Sequence, residues 1–158
     1  GSRVAEIALG FGADVRYWSR NRKKEYEAKG IKYEDSDGLI PKCDFISIHL
    51  AKTEDTINFF NEKRINKLKK GAIVVNTCPM ALIDINALER RLAKGDITFI
   101  LDHSDEMGEE LKGISRYKNC IVYPPIAYIS KEARDSKQEI FVGNIESFLK
   151  GIPKNTVN

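Results

Sequence analysis

Gly71-Ala72-Ile73-Val74-Val75-Asn76-Thr77-Cys78-Pro79, followed by Leu82-Ile83-Asp84-Ile85-Asn86-Ala87-Leu88, is the stretch whose reading decides the fold. Ala72 to Asn76 is a β-branched apolar run of strand length with no polar alternation. A strand that reads this way is covered on both faces, as in a parallel sheet. Gly71 marks the break before it. Asp84 is a natural N-cap for a helix that sets Ile85, Leu88 and Leu92 on one face and closes at Gly95. A buried strand leading into a capped amphipathic helix is one unit of an α/β fold.

The same alternation extends in both directions. Upstream, Val4, Ile7, Ala8 and Phe11 have helical spacing, with the helix stopping near Gly10 and Gly12. Val15 to Trp18 reads as a short strand, Lys23 to Lys29 as a polar helix, and Phe45 to Leu50 as a strand. Glu62 to Lys70 reads as a helix capped by Asn61 and stopped at Gly71. Downstream, Ile97 to Leu101 and Cys120 to Tyr123 read as strands. Ser130 caps a last long helix carrying Phe141, Ile145, Phe148 and Leu149 in one stripe. Right-handed crossovers then give an α/β, doubly wound parallel sheet of Rossmann-like type over residues 1–158, read as one domain. Ligands of such sheets bind beyond the carboxyl ends of the strands. Those ends are Trp18-Ser19, His49-Leu50, Asn76-Thr77-Cys78 and Asp102-His103.

Bulk properties agree. Of 158 residues, 42% are hydrophobic and 31% charged, which fits a folded domain rather than a disordered chain. A net charge of +3 is too small to argue for nucleic acid. No apolar run is long enough to span a membrane, and no secretory leader opens the sequence. Cys43, Cys78 and Cys120 form no C-x-x-C pair and are odd in number, so a reducing, cytoplasmic setting is expected.

Four stretches resemble a known family. Gly1-Ser2-Arg3-Val4-Ala5 with Gly10-Phe11-Gly12 resembles the end of a G-x-G-x-x-G loop and its helix. Trp18-Ser19-Arg20-Asn21-Arg22-Lys23 resembles the S-R-T-R-K stretch of glyoxylate and hydroxypyruvate reductases. The opening stretch resembles G-A-x-x-V-N-T-A-R-G-x-L-V-D-x-x-A-L. Leu101-Asp102, Pro124-Pro125-Ile126-Ala127 and the Asn144-to-Gly151 segment match closing motifs in order. Together they resemble the NAD(P)-binding domain of the D-isomer-specific 2-hydroxyacid dehydrogenases.

The resemblance implies a cofactor, NADP or NAD, in the sheet crevice, and hydride transfer to a substrate held by a second domain. An arginine would hold the substrate carboxylate and a histidine, tuned by a glutamate, would move the proton. The resemblance places cofactor contacts at Gly1, Ser19, Arg20, Leu50, Thr56, Thr77, Cys78 and Asp102. Ser19 and Arg20, where an acidic residue would hold the ribose of NAD, suit a 2′-phosphate, with Arg22, Lys23 and Lys24 reinforcing the field. Ser19 and Arg20 also read as a solvated helix start, and Thr77 and Asp102 as strand-end caps. Cys78 reads more simply as an inert buried thiol.

The departures bear on catalysis. Pro79 stands where the family has its arginine, and Pro125 where it has its histidine. Met107, beside Asp105 and Glu106, is the best match for the glutamate. No catalytic residue is therefore expected. Gly1 matches only the last glycine of the phosphate loop, so the sheet is expected to lack its usual first strand, and the substrate domain is expected to be missing too. In the order 3-2-1-4-5-6 that strand is central, and its neighbours, normally about 4.8 Å from it, are left unpaired. The missing loop weighs against cofactor binding by this chain.

Three readings follow: a degenerate cofactor domain inactive in hydride transfer, a nucleotide-sensing or partner-binding module, and a fragment of a longer dehydrogenase. The partners considered are a second copy of the chain and an intact family member. A metal site at His49, Cys78, Asp102, His103 and Asp105 lacks a ligand-spacing signature and is not expected. Lys63, Arg64, Lys67, Lys69 and Lys70 read as a solvated helix face, and the stripe ending at Leu149 as core or a dimer surface.

Overall fold

The computed structural model describes residues 1–102, 108–126 and 129–156, with Glu110 described by its backbone only. The strands β1 (Arg16–Tyr17), β2 (Lys32–Tyr33), β3 (Phe45–Ile48), β4 (Ile73–Asn76), β5 (Thr98–Leu101) and β6 (Cys120–Val122) all pair in parallel. Between and around them run α1 (Ser2–Gly10), α2 (Lys24–Glu27), α3 (Ser36–Leu39), α4 (Glu62–Asn66), α5 (Ile85–Leu92), α6 (Glu109–Ser115) and α7 (Lys131–Leu149). The chain divides into two compact units, Gly1–Pro124 and Pro125–Asn158.

In the first unit the described strands form two separate sheets, β1-β2 and β3-β4-β5-β6. The break falls between β1 and β3, at the position the sequence left without a strand. β3 therefore ends the larger sheet with an unpaired edge, where Phe45 is 73% exposed. α1, which the glycines at 10 and 12 terminate as expected, buries none of its residues. The core lies instead around β4 and β5. Val74, Phe99 and Leu101 from those strands pack with Leu88 and Leu92 of α5 and Ile114 of α6, each no more than 2% exposed. Burying each such side chain is worth about 1.5–3 kcal/mol, so this four-strand layer carries most of the unit's hydrophobic stabilisation.

The caps read from sequence are in place. Asn61, Asp84 and Ser130 accept hydrogen bonds from the backbone N–H groups of Arg64, Ala87 and Ala133. Gly71 turns the chain into β4 at φ +84°, a conformation that disfavours any residue with a Cβ. α4 is shorter than its sequence implied. It tightens at Lys67, whose N–H bonds Arg64 O at 3.1 Å, and the chain leaves the helix before Gly71.

The second unit contains α7. Along that helix Phe141, Phe148 and Leu149 are 65%, 72% and 77% exposed, so the reading of this stripe as core is corrected. Among the described residues no helix is long and apolar enough to cross a membrane.

Candidate functional site

Register places the strand ends side by side. Ile48, Asn76, Leu101 and Val122 are mutually paired across β3, β4, β5 and β6. The next residues, His49, Thr77, Asp102 and Tyr123, thus leave the sheet abreast, at one level. Gly1 joins this edge as the N-cap of α1. A Cβ added to Gly1 would lie 3.1 Å from the Cβ of His49, tighter than an ordinary contact, so a larger residue here would have to displace His49 by a few tenths of an ångström. Partial burial lowers the pKa of His49, whose Nε2 lies 2.8 Å from the Ser47 hydroxyl.

β1 delivers its carboxyl end to the same edge. Trp18 packs against Phe59, ring centroids 4.6 Å apart and planes tilted by 33°, and the Arg64 guanidinium lies over the Phe59 ring at 4.1 Å. Arg64 is fixed in turn. Its Nε donates to Asp37 Oδ1 at 2.9 Å, Nη1 to the Phe59 carbonyl at 2.7 Å and Nη2 to Ser36 Oγ at 3.1 Å. Arg64 is therefore a structural pin rather than part of a solvated face, which corrects the charge-run reading. The cationic partners Lys63 and Arg64 hold the Asp37 carboxyl at about 2, well below the ordinary carboxylate value.

Ser19 and Arg20 follow Trp18. The Ser19 hydroxyl donates to the carbonyl of Asn21 at 2.6 Å, which fixes the turn. Arg20 projects outward, its Nη2 3.4 Å from Thr53 Oγ1. Arg22, expected to add to the field, is committed to Glu27, with Nε 2.6 Å from Oε1. Leu50 is half-buried and packs against the core cluster. Thr56 is buried, and its hydroxyl donates to Ala51 O and accepts from Thr53 N–H, both at 2.7 Å. It shapes the turn after β3 and offers no open face.

The turn after β4 is built by a residue the sequence reading used only as a strand end. Asn76 is fully buried. Its Oδ1 accepts from Cys78 N–H at 3.1 Å and its Nδ2 donates to Cys78 O at 2.8 Å, with Met80 Sδ at 3.3 Å. The visible signal was an asparagine at a strand end two residues before the chain turns at Cys78-Pro79. Cys78 is buried, donates its thiol to Ile48 O at 3.2 Å, and has its pKa raised by that burial. It is thus a poor nucleophile. Thr77 is exposed at the edge, and Asp102 follows β5 directly. Pro79 is half-buried at φ −51° and begins the turn Met80–Leu82. Pro125 is the first residue of the second unit.

Among the described residues no three histidine, cysteine, aspartate or glutamate side chains converge as metal ligands. His103, Asp105, Glu106 and Met107 lie outside the described residues.

The model of the D-isomer specific 2-hydroxyacid dehydrogenase NAD-binding domain matches residues 1–127. The glyoxylate reductase of Thermococcus litoralis is 37% identical over the whole of this chain, which covers 49% of that protein. Among solved structures, D-lactate dehydrogenase of Aquifex aeolicus, complexed with NAD and lactic acid, is 28% identical at a TM-score of 0.88. That alignment covers 96% of this chain and 50% of the other. An acyclic imino acid reductase in complex with NADPH and D-Arg is 32% identical at a TM-score of 0.83, over 100% of this chain and 50% of its own. The chain thus spans about half the length of the curated relatives it matches.

Proposed function

Since the chain belongs to the D-isomer-specific 2-hydroxyacid dehydrogenases through their NAD-binding domain, we propose that it is a degenerate cofactor domain. In this reading it offers a crevice for the adenosine end of NADP or NAD but has lost the family's hydride-transfer residues. The observation that carries the reading is Pro79. The turn that should present the substrate-binding arginine is intact and buttressed by Asn76, yet the side chain it presents has no charge. A proline holds no carboxylate, and Pro125, at the histidine's place in the sequence, moves no proton.

The crevice residues fit the adenosine end of a dinucleotide. Gly1 leaves room at the start of α1 that a Cβ would fill, and Arg20 offers an outward guanidinium beside the turn of Thr53. Bound there, the cofactor would supply a nicotinamide for hydride exchange. This chain's own contribution is to hold the adenosine end with Ser19 and Arg20 and to line the edge with Thr77 and Asp102. The Ser19-Arg20 pair favours NADP over NAD. The three free cysteines suit a reducing cytoplasm.

Two measurements test this. In a thermal scan, a cofactor at a hundredfold excess over its Kd adds about 2.7 kcal/mol. A midpoint raised by NADPH more than by NADH is expected, and indifference to both refutes the crevice. Purified chain mixed with NADPH and glyoxylate or hydroxypyruvate should show no oxidation above the blank; sustained turnover refutes the loss of chemistry.

A second reading, a module completed by a partner such as an intact family member, is favoured by the unpaired edges of β1 and β3. Its test is co-purification with a longer family member; isolation of a well-folded chain alone counts against it.

A further inference from the structure

We propose that Ser47 and His49 form a nucleophile–base pair on the open face of β3, able to transfer a small acyl group from an ester to water. The proposal is independent of the nucleotide reading above. Side chains two residues apart on a strand share a face, so Phe45, Ser47 and His49 lie on one side of β3 while Ile48 turns into the core. Ser47 and His49 are open to solvent, and the Ser47 hydroxyl lies 2.8 Å from Nε2 of His49. That is within the reach a base needs to take a proton from a nucleophile. Neither side chain has another hydrogen-bond or ionic partner among the described residues.

His49 is suited to accept. Partial burial lowers its pKa, so at neutral pH the ring is uncharged. With its proton on Nδ1, Nε2 presents a lone pair to the hydroxyl. The start of α1 lies close against the ring: a Cβ on Gly1 would be 3.4 Å from its Cγ and 3.5 Å from its Cδ2.

The backbone supplies a third component. Asp44 O accepts from Ile73 N–H at 2.9 Å, and Phe45 is the register partner of Ile73. In a parallel ladder alternate residues of a strand bond to one neighbour. Asp44, Ile46 and Ile48 therefore turn their polar groups toward β4, and Phe45, Ser47 and His49 turn theirs to the opposite edge. Among the described strands none pairs with β3 on that edge. The N–H of the nucleophile itself is thus an open donor, of the kind that steadies an oxyanion. Phe45, 73% exposed on the same face, offers an apolar neighbour for the acyl or alcohol part of an ester.

With 4-nitrophenyl acetate the steps balance. Ser47 Oγ bonds to the carbonyl carbon as its proton passes to His49 Nε2, and 4-nitrophenolate leaves with the electrons of the broken C–O bond. His49 gives that proton to solvent. It then takes one from the water that attacks the acetyl carbon, and returns it to Ser47 Oγ as acetate departs.

The experiment treats the whole chain with diisopropyl fluorophosphate, which phosphorylates an activated serine with loss of fluoride, and maps the adduct by peptide mass. One adduct, on Ser47, is expected in the native chain and none after unfolding in urea. His49→Gln should slow the labelling by about a hundredfold, the lower end of what a positioned base contributes. Ser47→Ala should abolish the initial burst of 4-nitrophenolate from 4-nitrophenyl acetate. Both side chains are exposed, so neither substitution should move the unfolding midpoint. Ser47→Cys gives a second measurement: iodoacetamide at neutral pH should alkylate position 47 ahead of Cys78 and Cys120, whose thiols burial holds protonated. A native chain that takes up no label, labelling spread over several serines, or labelling of Ser47 that His49→Gln leaves unchanged overturns the pair.

Discussion

Asn76→Ala should destabilise the first unit by about 2–4 kcal/mol. The wild-type side chain is fully buried and satisfies both backbone polar groups of Cys78, at 3.1 Å to its N–H and 2.8 Å to its carbonyl. Alanine leaves that N–H and carbonyl without partners in a turn where Cys78 itself is 8% exposed. Each stranded group costs about 1–3 kcal/mol, and partial relaxation toward water sets the lower total. The contact to Met80 Sδ adds little, since sulfur is a weak acceptor. Urea unfolding followed by circular dichroism measures the effect as a lower midpoint at constant slope. Asn76→Asp makes the test sharper. A carboxylate keeps the acceptor for Cys78 N–H but faces the Cys78 carbonyl with no donor, in a site that disfavours charge. Its folded pKa must rise above the unfolded value of about 3.9. The loss is then small below that pH, where both states are protonated, and grows as pH rises above it. A cost under about 1 kcal/mol for the alanine, or a pH-independent aspartate variant, would refute this account of the turn.

Three further outcomes are expected. Lys63 and Arg64 hold the Asp37 carboxyl at about 2 against an ordinary 3.8, so its contribution is complete above the unfolded value and lost as pH falls through the folded one; Asp37→Asn should flatten the acid limb of a plot of unfolding midpoint against pH, and an unchanged limb counts against the pairing. Arg64→Met removes a guanidinium stacked on Phe59 and bonded to its carbonyl, a loss of about 2 kcal/mol. Trp18, the single tryptophan, packs against that ring, so its emission should shift to the red, and an unmoved spectrum would refute the contact. Burial raises the Cys120 thiol to about 11 and lifts Cys43 and Cys78 as well; a thiol reagent at about pH 8 should label Cys120 only on unfolding, and rapid labelling of the native chain would show that strand β6 opens.

Much of the architecture was legible in the sequence, for reasons that differ by element. Residues 73–75 and Thr98–Leu101 are β-branched or apolar throughout because neither face of β4 or β5 is left exposed, and that pattern has few other readings. Asp84 and Ser130 announce their helices because each side chain caps one. β2 was invisible because two residues carry no period, and α3 because four residues carry barely one turn. α6 follows Gly108 as its N-cap, which offers no capping side chain, and contains Gly113. The site divides in the same way. Strand ends can be read as loci, so Ser19, Arg20, Thr77 and Asp102 could be named as candidates from the sequence alone. The partners that hold them come from elsewhere in the chain. Nothing local to Arg64 says that it stacks on Phe59, and nothing local to Thr56 says that its hydroxyl closes the turn around Lys52.

Pro79 bears on whether the proposed loss of chemistry would reflect decay of the fold, and the local geometry argues that it would not. The hydrogen bonds that build the turn belong to Asn76, Cys78 and Met80; Pro79 contributes its carbonyl, which accepts from Leu82 N–H at 3.2 Å. At φ −51° the position suits proline, and its missing N–H is not drawn on by any of these bonds. Such a proline stabilises by about 0.4–1 kcal/mol through the unfolded chain. Arginine can adopt the same φ and ψ, and the position is half-buried rather than enclosed. Pro79→Arg should therefore fold normally, with a loss of no more than about 1 kcal/mol in urea unfolding. It should also restore a cation at the strand end, read as tighter retention of a small carboxylate such as oxalate in the presence of cofactor. A loss above about 2 kcal/mol would mean that the proline is itself structural, and that the turn has been rebuilt around it rather than merely emptied.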